Sequence, residues 1–401
     1  MSIVKSTLTL NSTASHPIGT LNYSRSSSAT RINSIGQVEE VAANKIRQDY
    51  FSDPANTGRL RGWLLEEAST NTCLQSADFG TTWITSTATQ TNAGSITTNT
   101  VKSPDGATTA DTLQSNSGTT GIIAARQQGF TFTNGTTYTV SVWAKKKDLD
   151  YLEITNKDDA LAGRTYSKVF KISDGTLGAS GGTVGAAKID SYVNGWYRCS
   201  VTFTAAANTS SEVYFKARNN DANNTTYTFN NNEGIYLWGA QVEAIAYPTS
   251  YIPTTTTAVT RNADVAYIED TENMWNWDVG TSIWIDATPL STTSTQPIYH
   301  YQDATNDNYF TLLSDGKCKL FANGNNQLSA NPFTTGFTTT YCSDFRNVMA
   351  VKSNRFHMAH NGSLSEQLPD TSIMVPLNSS SSKYTIKFFH GTGLSSGSGW
   401  L

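Results

Sequence analysis

Charge is what this sequence has least of. Charged residues make up 15% of its 401 positions, against about 25% in an average domain. The net charge is −4, and no block of Lys or Arg stands out. A partner held by phosphate neutralisation, such as a nucleic acid, is therefore not expected. Long apolar runs are missing as well: none approaches the ~20 residues of a transmembrane helix, so membrane insertion is not expected. The opening Met1-Ser2-Ile3-Val4-Lys5 lacks the apolar core of a secretory signal, and synthesis in a cytoplasm is expected. Cysteine is sparse. Cys73, Cys199, Cys318 and Cys342 are too few for a disulfide scaffold, and no Cys-Xaa-Xaa-Cys pair exists for a zinc ribbon. Free, buried thiols are the expectation.

Thr, Ser and Asn fill the space that charge leaves. That composition suits many short β-strands joined by polar turns, and not helical bundles rich in Glu, Lys, Ala and Leu. The 18 tyrosines, 16 phenylalanines and 9 tryptophans supply enough apolar surface to exclude a disordered chain.

The stretch Ile235 to Val265 organises the rest. Ile235-Tyr236-Leu237-Trp238 reads as a buried strand, and Gly239 as a bulge or a close backbone approach. Tyr247-Pro248 and Ile252-Pro253 then force extended backbone, so the strand is expected to run on into an ordered strap. Before it, apolar runs recur at regular spacing, among them Trp83-Ile84, Ala110 to Leu113, Tyr138 to Ala144, Ser167 to Ile172, Gly195 to Thr204 and Glu212 to Ala217. Hairpin turns are expected at Asn33 to Gly36, Asn134-Gly135, Asp174-Gly175 and Asn194-Gly195. After Val265 the pattern restarts, with hairpins expected across Ser314-Asp315-Gly316 and Lys352-Ser353-Asn354 and a turn at Asn361-Gly362. The expected fold is all-β: two antiparallel β-sandwiches, a jelly roll over 23–265 and a second sandwich over 266–401, preceded by an N-terminal arm over 1–22. An apolar strand begins at Gly399-Trp400-Leu401, so the second sandwich is expected to be incomplete or completed by a neighbour.

Few residues suggest chemistry. Glycoside hydrolysis needs two carboxyls about 5–9 Å apart, and Glu39-Glu40 and Glu66-Glu67 are acidic doublets. Adjacent residues of a strand point to opposite faces, so neither doublet can act as a pair. At most one member of each is expected to turn inward, tying a loop or an arginine such as Arg31, Arg47 or Arg261. His357, His360 and His390 do not present three or four convergent metal ligands. A Gly-Xaa-Ser-Xaa-Gly elbow, a Walker loop and a dinucleotide fingerprint are not expected. Catalytic, metal and cofactor residues are thus not expected. Aromatic side chains remain: Trp63, Trp83, Trp143, Trp196 and Trp238 are expected in the core. Trp275 and Trp277, with one polar residue between them, either pack a domain interface or stack on a sugar ring.

Several ordered motifs carry a resemblance. Arg31-Ile32-Asn33, Val38 to Ala42, Gly62 to Asn71, Ser103-Pro104-Asp105-Gly106 and Gly195-Trp196-Tyr197-Arg198 come first. Trp238 to Glu243, Pro248 to Thr254 and Thr260-Arg261 follow. Together they resemble the carbohydrate-binding-module-like domains of bacteriophage structural proteins. The segment from Asn347 to Gly362 resembles the back-to-back strands of concanavalin A/laminin-G-like sandwiches. The resemblance implies a non-enzymatic virion protein of a tailed phage: a fibre, head spike or tail-associated subunit on the virion surface. Its implied partners are other virion proteins, further copies of itself (a trimer by analogy with fibres) and host-surface polysaccharide. A capsid decoration protein without receptor role and a polysaccharide depolymerase are the competing expectations.

Overall fold

The computed structural model describes residues 21–85, 94–116, 120–156, 165–221 and 227–270. Beyond them it describes the strand backbones 281–289, 296–302, 307–312, 318–321, 345–352, 355–360, 363–364, 368–369, 384–388 and 399–400. The expected arm lies outside the described residues up to position 20.

All regular structure described is antiparallel β-sheet, apart from one 3-10 turn at Val193–Gly195. Two sheets face each other. One has six strands, in the order Ala186–Ser191, Trp196–Thr204, Thr137–Lys146, Gly234–Glu243, Ala110–Ser115 and Gly94–Val101. The other has five, in the order Ile123–Phe132, Thr209–Arg218, Tyr151–Thr155, Tyr166–Lys171 and Thr176–Gly182. The chain passes back and forth between them, so the two form an antiparallel β-sandwich. Alternation explains the core. Val140, Val142, Val201 and Phe203 point in from the first sheet, and Leu152, Ile154, Phe170 and Phe215 from the second. Each such side chain contributes about 1.5–3 kcal/mol by leaving water.

Glycine-containing turns close the hairpins at Asn33 to Gly36, Asp174-Gly175 and Asn194-Gly195 as expected. Asn134-Gly135 does something else. Gly135 has φ 79°, but the flanking strands Ile123–Phe132 and Thr137–Lys146 belong to opposite sheets. The turn is an inter-sheet corner. Trp83-Ile84 is not a strand but a single bridge from Ile84 to Arg126. Three strands without an apolar signal, Gly94–Val101, Thr176–Gly182 and Ala186–Ser191, are each outermost in their sheet and largely unburied. An edge strand has no buried face to write into the sequence.

Strand Gly234–Glu243 is central, between Thr137–Lys146 and Ala110–Ser115. At Gly239 the register shifts opposite Ser141 to Trp143, and φ is 67°. A Cβ there would lie 2.7 Å from the Trp143 ring, and that ring is itself wedged by Tyr192, Trp238 and Tyr251. Gly239→Ala is expected to cost about 1–3 kcal/mol from the left-handed backbone alone, read as a lower urea midpoint. The strap then crosses the outer face of the six-stranded sheet. Tyr251 is buried and its hydroxyl bonds Ser76 Oγ at 2.7 Å; Val259–Arg261 ends the strap by pairing with Ser69–Asn71.

Two further sheets take strands from both sides of Val265. Leu21–Ser24 pairs with Val265–Asp270, which pairs with Tyr384–Phe388. Arg47–Tyr50 and Leu60–Leu65 connect through Gly399–Trp400 to Thr281–Pro289 and Phe345–Lys352. The hairpins flanking residues 314–316 and 353–354 pair as expected, and Ser363–Leu364 pairs with Ala359 and His360 beyond the Asn361-Gly362 position.

Candidate functional site

The outer face of the six-stranded sheet is only partly covered. Cys199, Val201 and Phe203 point into the core, so Arg198, Ser200 and Thr202 point out. The same alternation turns Ser141 and Trp143 outward beside them, Trp143 directly opposite Arg198. The strap covers one side of this face, and the segments Thr30–Ile32 and Asp49–Ser52 stand over another. Between them lies a cleft of about 900 Å³, within the usual range of ligand sites.

Hydrogen bonds fix the walls to the floor. Ser52 Oγ donates to the Ser191 carbonyl at 2.9 Å, and Thr30 Oγ1 to the Tyr251 carbonyl at 2.7 Å. Arg198 ties floor to strap, donating to the Thr249 carbonyl at 2.7 Å and to Ser141 Oγ at 3.2 Å. Its guanidinium lies 4.3 Å over the Trp143 ring. The lining mixes cations (Arg31, Arg61, Lys188, Arg198) and hydroxyls with the carboxylates of Asp49, Glu66 and Asp190. Asp49 accepts from the Ile32 amide at 2.7 Å, and Asp190 pairs with Lys188 at 2.9 Å.

Behind one wall sits a buried charge cluster. Glu66 accepts from Arg47 at 2.8 Å and from Ser250 Oγ at 2.6 Å, with Arg261 at 3.6 Å. Asp264 pairs with Arg25 at 3.0 Å, with Arg47, and with the Tyr23 hydroxyl. All five charged side chains are almost fully shielded from solvent. Burial alone pushes the Glu66 carboxyl up, but Arg261, Arg47 and the Ser250 bonds outweigh it and hold it down at about 2. Burial and Asp264 together push the Tyr23 phenol well up. Glu66 turns inward and ties Arg47 and Arg261, as expected, whereas Glu39 and Glu40 are both exposed and Glu39 pairs with Arg31 at the surface at 3.0 Å. Asp264, the acid that joins Arg25 to Arg47, carries no local sequence signal and was not anticipated.

The five tryptophans expected in the core are buried, as are the free thiols of Cys73 and Cys199. Trp275 and Trp277 lie outside the described residues, as do His390 and Cys342. His357 and His360 fall in the strand Arg355–His360. Among the described residues no group of three or more His, Cys, Asp or Glu is placed to hold a metal, and no helix is long and apolar enough to cross a membrane. Gly178-Ala179-Ser180-Gly181-Gly182 has the letters of a nucleophile elbow. It runs along an edge strand, however, where Ser180 Oγ accepts from Lys168 Nζ at 2.9 Å, without the strand-to-helix turn that exposes such a serine. The cleft itself was not legible in the sequence, because its parts come from residues 30–66, 137–204 and 246–251.

A scan against models of known protein families and a search of curated proteins both return no match.

Proposed function

We propose that the chain is a non-enzymatic structural protein displayed on the virion of a tailed bacteriophage, as a fibre, head-spike or tail-associated subunit, and that its cleft binds host-surface glycan. The cleft is the observation that carries the binding role. Its hydroxyl-rich sheet floor and paired charges offer the alternating donors and acceptors that a polyhydroxylated ligand requires. The virion assignment draws on the resemblance. Glu66, Asn71, Glu243, Tyr251 and Arg261, which belong to its motifs, build the charge cluster and seat the strap that shapes the cleft.

The non-enzymatic reading is supported by how one of the cleft's acids is engaged. Glu66, held ionised by two guanidiniums, cannot serve as a general acid near neutral pH. Incubation with capsular polysaccharide is expected to leave its chain length unchanged, and shortening would establish a depolymerase instead.

A glycan array probed with the full chain is the direct test, with binding to bacterial surface polysaccharide expected. Cryo-microscopy of particles tests the placement. A free distal end is expected; density lying flat over capsid-subunit junctions would assign a decoration protein. A homo-oligomer, taken as a trimer by analogy with fibres, is checked by sedimentation.

A further inference from the structure

We infer that the cleft seats an anionic oxygen group of an acidic saccharide against Arg198 and Trp143. The inference rests on the reading of the cleft as a glycan site and adds the class of glycan. Both side chains line the cleft and are buried, at 7% and 1% exposure. Each keeps a buried donor, Arg198 Nε–H and Trp143 Nε1–H, that has no hydrogen-bond partner among the described residues. The neighbouring indoles do not share this state: Trp196 donates to the Lys102 carbonyl at 3.1 Å and Trp238 to Thr109 Oγ1 at 3.2 Å.

Arg198 is also a buried cation whose bonds go to neutral oxygens and to the Trp143 face. No carboxylate pairs with it among the described residues. Glu243, on the same sheet face, feels its charge but spends its oxygens on Ser69, Gln241 and Thr249. Buried charges are ordinarily paired, and buried donors ordinarily satisfied. A carboxylate or sulfate oxygen meets both needs at once, through charge-assisted bonds. A sugar hydroxyl would satisfy the donors and leave the cation uncompensated.

Calorimetry on the full chain tests this with three probes: a galacturonate hexamer, a sulfated dextran oligosaccharide and maltohexaose. At least one anionic probe is expected to bind about tenfold or more tighter than maltohexaose, with the gap narrowing as salt rises. Comparing the two anionic probes decides between carboxylate and sulfate. Arg198→Gln is expected to abolish the preference, and Trp143→Phe to weaken anion binding severalfold. Because Arg198 also holds the strap, the intact protein provides a second readout: the Trp143 indole N–H resonance shifts with the anionic probe and stays put with maltohexaose. Equal binding of all three probes, or a preference that survives Arg198→Gln, overturns the inference and leaves the glycan reading standing. Binding of none overturns it too, and a blank glycan array in addition overturns the reading beneath it.

Discussion

Replacing Glu66 by alanine is expected to lower stability by about 3–5 kcal/mol, the usual cost of stripping one partner from a buried ion pair. The cost arises from what stays behind. Arg47 and Arg261 would keep their buried positions with Asp264 as the one remaining carboxylate of the cluster. Thermal unfolding is expected to shift down on the order of 10 °C. Glu39→Gln is the control, because its pair with Arg31 is partly exposed; it is expected to stay within about 1 kcal/mol of the parent. The same cluster sets the acid response. The Glu66 carboxyl is lowered from 4.5 to about 2 on folding. Its contribution is therefore complete above the unfolded value and disappears as pH falls from there through about 2, amounting to about 3 kcal/mol. Unfolding midpoints measured across that window should fall in the parent and change little in Glu66→Gln. An equal fall in both would show that Glu66 is not the titrating group.

Asn71→Ala is the second substitution with a large expected effect. Asn71 is fully buried and bonds four backbone groups with one amide. Its Nδ2 donates to the carbonyls of Ala240 and Ile252, at 3.0 and 2.9 Å, and its Oδ1 accepts from the amides of Cys73 and Val242, both at 3.0 Å. Alanine would leave all four unsatisfied where water does not reach, each at about 1–3 kcal/mol before relaxation. A loss of about 3–5 kcal/mol in denaturant unfolding is expected. Hydrogen exchange at the Cys73 and Val242 amides should accelerate alongside it. A loss below about 1 kcal/mol would mean that the strap is seated by Tyr251 and not by this amide.

Local chemistry was legible where a residue's role is decided by its immediate neighbours. Asp174-Gly175 and Asn194-Gly195 close hairpins because their flanking strands pair with each other. Asn134-Gly135 has the same letters and joins opposite sheets, since a positive φ reverses the chain without choosing the partner strand. The reading that at most one of Glu66 and Glu67 turns inward agrees with the Glu66 pairs to Arg47 and Arg261, although the doublet lies just past the end of strand Leu60–Leu65 and not on it. It was silent on Asp264 and Arg25, whose meeting depends on residues 239 positions apart. In the sequence Arg198 stands out only as part of the Gly195 to Thr204 run and its Gly195 to Arg198 motif. Its stacking on Trp143 is a cross-strand contact that spacing cannot reveal, and the cleft inherits that silence from every segment that forms it.

The pairing of Leu21–Ser24 with Val265–Asp270 has a mechanical consequence. Leu21 lies opposite Ile268, and Ser24 opposite Val265. Tension entering ahead of Leu21 and leaving beyond Asp270 would therefore pull on the same end of the ladder, parting its bonds one after another as a zipper does. The Arg25–Asp264 pair sits just inside the last rung, and Gly399–Trp400 gives Leu60–Leu65 a second attachment to the strands beyond Asp270. A pull between those two chain ends would open the ladder at the Leu21–Ile268 rung first.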